Sequence, residues 1–270
     1  MADRLPGTET TAQWPPITCL CPTYGRFERL RDAIACFMSQ DYPGEKRLLI
    51  LNDAPQPLRL APGRPLEGWG VRIVNRPMRF ETLGRKRQAL LEMARTPLVA
   101  HWDDDDLYLP WHLTECVRTL RANQGAACVK ARSAWWCVGP REAPRLVGVR
   151  RNVFEGQMVF DRAAALRLGG YPSLDSGQAK ALLDAFRRAG LLYEWDPPRS
   201  RLSYVYRWAD GIGHVSAPAR SPDGASAFAA RNHDFGVGRP LIPRPDLTTW
   251  AADRLASVVF PPSLPYAARL

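Results

Sequence analysis

Four consecutive carboxylates, Asp103 to Asp106, stand in the stretch VAHWDDDDLYLP, directly behind an apolar run. Adjacent like charges repel one another and cannot be buried unpaired, so the run either lies in water on a loop or receives something positive. Asp103 and Asp105 are separated by one residue, and two carboxylates so placed can share a divalent cation. Mg²⁺ or Mn²⁺ is usually held by one or two carboxylates together with phosphate oxygens and water. A cation there neutralises a leaving diphosphate as a Lewis acid, and basic side chains should assist it. Arg85, Lys86 and Arg87 begin a helix-patterned segment just upstream, and His214 lies downstream in RWADGIGHVS. The competing reading is a cluster of caps and solvated charges, and His214, between Gly213 and Val215, is also readable as a core histidine.

The elements that must position these residues follow from hydrophobic periodicity. ITCLC (17–21) predicts a strand, and a helix follows from Phe27 to Met38 with Phe27, Leu30, Ile34 and Phe37 on one face. LLILN (48–52) and VRIVN (71–75) predict strands around the Pro-rich loop APQPLRLAPGRPLEG, and the helix TLGRKRQALLEMA leads into a strand, PLVAHW. This β-α-β-β-α-β order predicts an α/β fold: a single Rossmann-like, mostly parallel sheet with helices on both faces. Further on, PWHLTECVRTLRAN reads as an amphipathic helix, AACVKA and EGQMVF as strands, and GQAKALLDAFRRAG as a helix stopped at Gly190. LLYEW and RLSYVYRW read as strands. Residues 1–16 are expected to be a flexible tail, 17–216 one domain, and 217–270 an irregular arm rich in Pro, Gly and Ser.

Ligands of open α/β sheets bind at the carboxyl ends of the strands. CPTYGR ends the first predicted strand, LNDAP the second and HWDDDD the fourth. Three polar motifs converging on one edge favour a site over a solvated loop.

Composition narrows the function. The 270 residues are 46% hydrophobic, enough for a sizeable core, and no run approaches a membrane span. The N-terminus has no apolar stretch suited to a signal peptide, so the expected location is the cytoplasm. Cys19, Cys21, Cys36, Cys116, Cys128 and Cys137 show no paired metal-ligand spacing and read as buried, reduced thiols. The net charge of +10 suggests an anionic partner, but only four of the 37 basic residues are lysine and the arginines are scattered. No nucleic-acid-binding motif accompanies them, and nucleic acid is not expected as a partner. Nucleotidyl transfer would want a Gly-rich phosphate loop after the first strand, where CPTYGRFERL supplies one glycine. Trp135 and Trp136 read as core.

ITCLCPTYGRFERLRDAIACFMSQDYP, LLILNDA, LGRKRQALLEMARTPLVAHWDDDD and YVYRWADGIGHVS together resemble the GT-A glycosyltransferases of family 2, nearest to bacterial members with a W-D-D-D-D-W/L-Y run. The resemblance spans about residues 17–216 and implies a GT-A fold. The implied activity moves a sugar from a nucleoside diphosphate, UDP, to an acceptor hydroxyl with inversion, using Mn²⁺ or Mg²⁺. It implies that Pro22, Thr23 and Tyr24 line the nucleoside pocket and that Asp53 accepts from the base, a uracil N–H. Asn52 departs from the usual first acid of that pair. Lys86 and Arg87 are implied at the nucleotide with Gln88, which departs from the usual asparagine. Asp103 is implied near ribose and metal, Asp105 and His214 at the metal, and Asp104 beside the donor. Asp106 precedes a helix with Pro110 in its first turn, as a supporting or capping group. The acceptor, whether sugar, lipid-linked glycan or protein, stays open, and peripheral membrane contact is compatible.

Inverting members usually carry an acidic pair, G-E-D or G-Q-D, at the start of the helix that here reads GQAKALLDAF. The matching residues are Gln178 and Ala179, neither able to act as a base. Asp175, four residues before Ala179, is the candidate base; its alternative is an N-terminal helix cap. A protein that binds nucleotide-sugars but has lost transfer is the second functional reading.

Overall fold

The structure, a computed structural model, describes residues 14–60, 70–138, 145–151, 155–208 and 258–259. In chain order its elements are β1 (Ile17–Thr23), α1 (Phe27–Met38), β2 (Lys46–Asn52), β3 (Arg59–Leu60), β4 (Val71–Asn75), α2 (Leu83–Met93), β5 (Leu98–His101), β6 (Leu107–Tyr108), α3 (His112–Ala122), β7 (Cys128–Ala131), β8 (Ser133–Val138), β9 (Arg145–Arg151), β10 (Val159–Asp161), α4 (Arg162–Arg167), α5 (Gln178–Arg188), β11 (Leu192–Trp195), β12 (Tyr204–Trp208) and β13 (Val258–Val259).

The main sheet has seven strands in the order β11-β7-β10-β5-β1-β2-β4. β1 pairs in parallel with β2 and β5, β2 with β4, and β7 with β11, while β10 runs antiparallel to both its neighbours. β1 and β5 are buried at every residue, which is what uninterrupted apolar runs such as ITCLC and LVA predict for strands covered on both faces. One face is covered by α1 and α3 through Phe27, Leu30, Ile34, Phe37, Leu113 and Val117. The other is covered by α2, α4 and α5 through residues such as Leu90, Ala164 and Phe186. The mixed α/β, mostly parallel architecture is therefore as expected.

Two features depart from a single continuous sheet. EGQMVF is not one strand: Glu155–Gln157 is a 3₁₀ turn and only Val159–Asp161 is β10. Gly156 sits where a Cβ would lie 2.8 Å from an Asp103 oxygen and 2.4 Å from the Tyr204 hydroxyl, so the turn is packed against the acidic run. Second, RLSYVYRW supplies β12 to a separate four-stranded sheet, β6-β12-β8-β9, with the apolar run SAWWCV as β8. Trp135 and Trp136 are buried there, as core.

Trp14 is 4% exposed and packs edge-on against Tyr42. All six cysteines are buried free thiols, and burial pushes their pKa values up where a shift is resolved. No helix among the described residues is long and apolar enough to cross a membrane. A groove of about 950 Å³ lined by Thr18, Lys46, Gly70 and Arg95 opens at the amino ends of β1, β2 and β4, the end of the sheet opposite the acidic run.

Candidate active site

From β1 the chain proceeds to β2 and β4 on one side, then returns to β5 on the other, so the sheet's order reverses between β1 and β5. The crevice outside the carboxyl ends at such a reversal is where open α/β sheets bind ligands. The acidic run lies there, pinned by aromatics. Trp102 is fully buried, stacks on Tyr108 with ring centres 3.8 Å apart, and donates its indole N–H to Ala33 O at 3.0 Å. The Tyr108 hydroxyl accepts from Asp103 N at 2.8 Å and donates to Gly156 O at 3.0 Å. Tyr108 also places β6 beside β12, where it faces Tyr204.

All four carboxylates have protein partners, and the run is not a solvated loop. Asp104, with no exposed side-chain surface, accepts from the Thr23 hydroxyl at 2.7 Å, which ties the end of β1 to the turn after β5. The Arg26 guanidinium forks across Asp104 and Asp105. Asp103 pairs with Arg87 at 2.6 Å. Asp106 accepts from the Tyr204 hydroxyl and from Arg207 N at 2.9 Å, so it anchors β12 rather than capping α3, whose N-cap is Trp111. Arg207 further donates from Nε to Asp105 O and from a terminal nitrogen to Asp32, both at 2.5 Å.

The electrostatics follow from burial among these cations. Burial pushes the Asp104 carboxyl above its ordinary pKa against the pull of Arg26. Asp106 is pushed well above by burial, then by Asp105 and Asp103. For Arg26, burial favours the neutral form, but Asp104 and Asp105 outweigh it and the guanidinium titrates above its ordinary range.

Arg26 reaches the run because Gly25, at φ 69°, turns the chain sharply out of β1 into α1. Arg26 is the N-cap of α1 and makes no side-chain cap bond, its guanidinium being engaged by the carboxylates instead.

α2 supplies the other cations. Thr82 caps it by accepting from Arg85 N at 3.2 Å, and the next turn carries Lys86 and Arg87 inward. Buried Lys86 donates to Thr23 O at 2.6 Å and pairs with Asp53; burial lowers its pKa against the opposing pull of Asp53. The second Asp53 oxygen accepts from Phe80 N at 2.9 Å. Arg87 also meets His101 Nε2, while His101 Nδ1 lies 3.0 Å from Glu155 O. The carbonyl only accepts, so Nδ1 carries the proton and Nε2 accepts from Arg87. Burial, then Arg87, holds the His101 pKa down to about 3, and the ring is neutral.

Of the residues expected at the site, Pro22, Thr23, Asp53, Lys86, Arg87, Asp103, Asp104 and Asp105 gather at this edge. Tyr24 is half-buried beside them with the Arg79 guanidinium 4.4 Å over its ring. Gln88 points elsewhere: it accepts from Tyr171 N at 2.9 Å and donates to Glu92 at 2.8 Å. Asn52 donates to Gln56 O and to Asn75 and holds the end of β2 against β4. Asp175 is exposed and its nearest donor is Leu83 N, at 3.4 Å on the first turn of α2, while the N-cap of α5 is Gly177 at φ 77°. Gln178 is buried. His214 lies outside the described residues. Arg26, Tyr108, Tyr204 and Arg207 complete the site and were not anticipated. The only local signals for them were an arginine closing a strand-end loop and an arginine inside an aromatic strand.

No three His, Cys, Asp or Glu side chains among the described residues form a metal cage. Asp103 and Asp105 differ from Asp104 in reaching solvent, with 20% and 10% of their side chains exposed. Two such oxygen donors fit a Mg²⁺ or Mn²⁺ ion that takes its remaining ligands from phosphate and water.

Residues 18–169 match the sequence model of glycosyl transferase family 2. The chain belongs to this family. All the carboxylates of the run and the Thr23, Arg26, Asp53, Lys86 and Arg87 partners fall inside the matched span, whereas Asp175, α5 and β12 lie beyond it. Among solved structures, this family member is similar to S. aureus TarS 1-349, with 13% identity, TM-score 0.53, and 71% of this chain and 60% of that one covered. The same TarS fragment in complex with UDP-GlcNAc gives 12% identity and TM-score 0.53 over 74% of this chain and 60% of that one. The mannosyltransferase PcManGT from Pyrobaculum calidifontis, in complex with GDP-Man and Mn2+, gives 18% identity and TM-score 0.49 over 74% and 59%. The two TarS likenesses show the GT-A fold. The chain spans less than two thirds of each of these relatives' length. No curated protein matches the chain in sequence.

Proposed function

We propose that this family member transfers a sugar from UDP to an acceptor hydroxyl, with inversion and with Mn²⁺ or Mg²⁺, in the cytoplasm. The observation that carries the reading is the gathering of Thr23, Asp53, Lys86, Arg87 and Asp103 to Asp105 at one switch point. TarS, solved with UDP-GlcNAc, has the same fold and lends support to a UDP donor. Within the family we group the chain with members carrying W-D-D-D-D, on the strength of HWDDDDLY.

Asp103 and Asp105 would hold the cation, which when bound supplies charge neutralisation to the leaving diphosphate. Lys86 pairs with Asp53 and holds the carboxylate that would accept from the base, and Arg87 fixes Asp103. In the transfer the acceptor oxygen forms a bond to the anomeric carbon as the carbon–oxygen bond to the diphosphate breaks. The acceptor proton leaves to a base, and Asp175 is the exposed carboxylate nearest the start of α5 that can take it. His214 is assigned to the metal or the diphosphate. The acceptor is a sugar, a lipid-linked glycan or a protein.

Thermal shift with nucleoside diphosphates tests the donor reading. UDP with Mn²⁺ at about 100 times Kd should stabilise by ~2.7 kcal/mol, a rise of several degrees, and UDP alone by much less. Absence of any cation-dependent shift sinks the reading. Asp105→Asn should remove the cation dependence with the fold retained. Asp175→Asn should lower transfer by about 10²- to 10⁴-fold with UDP affinity unchanged.

A second reading, donor binding without transfer, is favoured by one observation: the positions where inverting relatives carry acids hold Gln178 and Ala179, and Gln178 is buried. Wild-type protein that binds UDP-sugar but neither transfers nor hydrolyses it would establish that reading. Ala179→Asp is then the substitution expected to restore turnover.

A further inference from the structure

Arg26 occupies Asp105, one of the two carboxylates assigned to the cation. One terminal nitrogen of its guanidinium meets Asp104 and the other meets Asp105, so the fork spans both neighbours. Its two ends are not equivalent. Asp104 is fully buried and has a second hold in the Thr23 hydroxyl at 2.7 Å, whereas the Asp105 side chain reaches solvent. The Arg26 side chain is itself 17% exposed, at the mouth of the crevice. A guanidinium and a divalent ion on the Asp105 carboxylate together would bring three positive charges within about 4 Å, a repulsion that favours one occupant at a time.

We propose that Arg26 is a diphosphate-binding residue held on Asp105 until nucleotide and cation arrive together. With both bound, one guanidinium nitrogen of Arg26 would leave Asp105 and donate to a phosphate oxygen while the other stays on Asp104. Planar guanidinium suits this exchange, since a phosphate accepts the same forked geometry as a carboxylate. The inference rests on Asp103 and Asp105 as the cation's ligands and adds what competes for them.

The two ligands are therefore coupled. A cation alone must break the Arg26–Asp105 pair and face the guanidinium charge across it. A diphosphate brings negative charge to both, so each ligand raises the affinity for the other by the same factor.

Mn²⁺ titration of the full chain, followed by the electron paramagnetic resonance signal of free Mn²⁺, tests the exchange. It is run without and with UDP and corrected for Mn²⁺–UDP complex formed in solution. In wild type, UDP should tighten Mn²⁺ binding by about 10- to 100-fold, within the usual range for coupled sites. Arg26→Gln should bind Mn²⁺ alone about tenfold more tightly than wild type, with the coupling reduced to less than about fivefold. Arg26→Lys keeps a charge for buried Asp104, and so serves where the glutamine variant does not fold. It loses the fork and should shift both quantities in the same direction. Mn²⁺ affinity without UDP that is unchanged or weaker in the folded variants overturns the exchange, and if wild type still binds Mn²⁺ and UDP together the donor reading stands. Wild type that takes up Mn²⁺ under neither condition overturns both.

Discussion

A buried histidine outside the site gives the clearest pH signature at the scale of one residue. His112 opens α3 with no exposed surface; its Nδ1 lies 2.9 Å from the Ser203 hydroxyl, and Nε2 has no hydrogen-bond partner among the described residues. Burial lowers its pKa from 6.5 to about 3. Between those values the unfolded chain binds a proton that the folded chain refuses, so stability is lost as pH falls through 6.5 toward 3. Urea denaturation at pH 7 and pH 5 should show wild type losing ~2 kcal/mol more than His112→Asn, the opposing contributions of Asp104 and Asp106 cancelling in the comparison. At the same scale, Thr23, Asp53, Lys86 and Arg87 were legible in the sequence, because strand ends and helix starts follow from local pattern and α/β sheets put them on one edge. Arg26 on Asp104 and Tyr204 on Asp106 were not: the partners are 78 and 98 residues apart, and no local periodicity specifies who meets across such a gap. Asp104 is instructive, since its spacing marks it as a neighbour of the paired acids and the fold makes it the most deeply buried of the four.

α2 is the element on which the site depends most, since Lys86 and Arg87 hold acids from β2 and β5. Its position is set at Gly84, where a Cβ would stand 1.9 Å from Pro172 O, a backbone atom that cannot swing aside. Gly84→Ala should therefore cost about 1–3 kcal/mol, visible as a melting temperature lower by several degrees, and should weaken UDP binding as the helix is pushed outward. If UDP affinity falls without loss of stability, the helix has shifted but not loosened. The long helices and strands here were readable because each shows several turns or alternations of pattern. β6 and β10 have two and three residues, too few to display a period, and that is why the second sheet and the split of EGQMVF escaped the sequence.

The molecule as a whole is joined through Arg207. It stands on β12 in the small sheet, yet it reaches Asp32 on α1 and the backbone of Asp105. Arg207→Ala should remove the ion pair to Asp32 and the hydrogen bond to the Asp105 carbonyl and cost on the order of 3 kcal/mol, measured by urea denaturation, with UDP–Mn²⁺ affinity falling alongside. Retained stability with lost affinity would mean that the small sheet orders the acidic turn without supporting the fold. Arg26, Arg87 and Arg207 at the crevice are each paired with an acid, so they add little net positive charge there.

The loop of residues 172–175 is fastened to the first turn of α2 by three contacts: Gly84 N to Leu174 O at 2.9 Å, the Thr82 and Ser173 hydroxyls at 3.1 Å, and Leu83 N to Asp175 at 3.4 Å. An engineer testing the proposed role of Asp175 would naturally graft this loop from another family member. Such a graft cannot be treated as a cassette, because the incoming loop must supply a carbonyl, a hydroxyl and a carboxylate to residues 82–84 or the helix beneath it loses its register. The practical unit of exchange is two segments far apart in sequence, and libraries built on either one alone should yield mostly variants with impaired nucleotide binding.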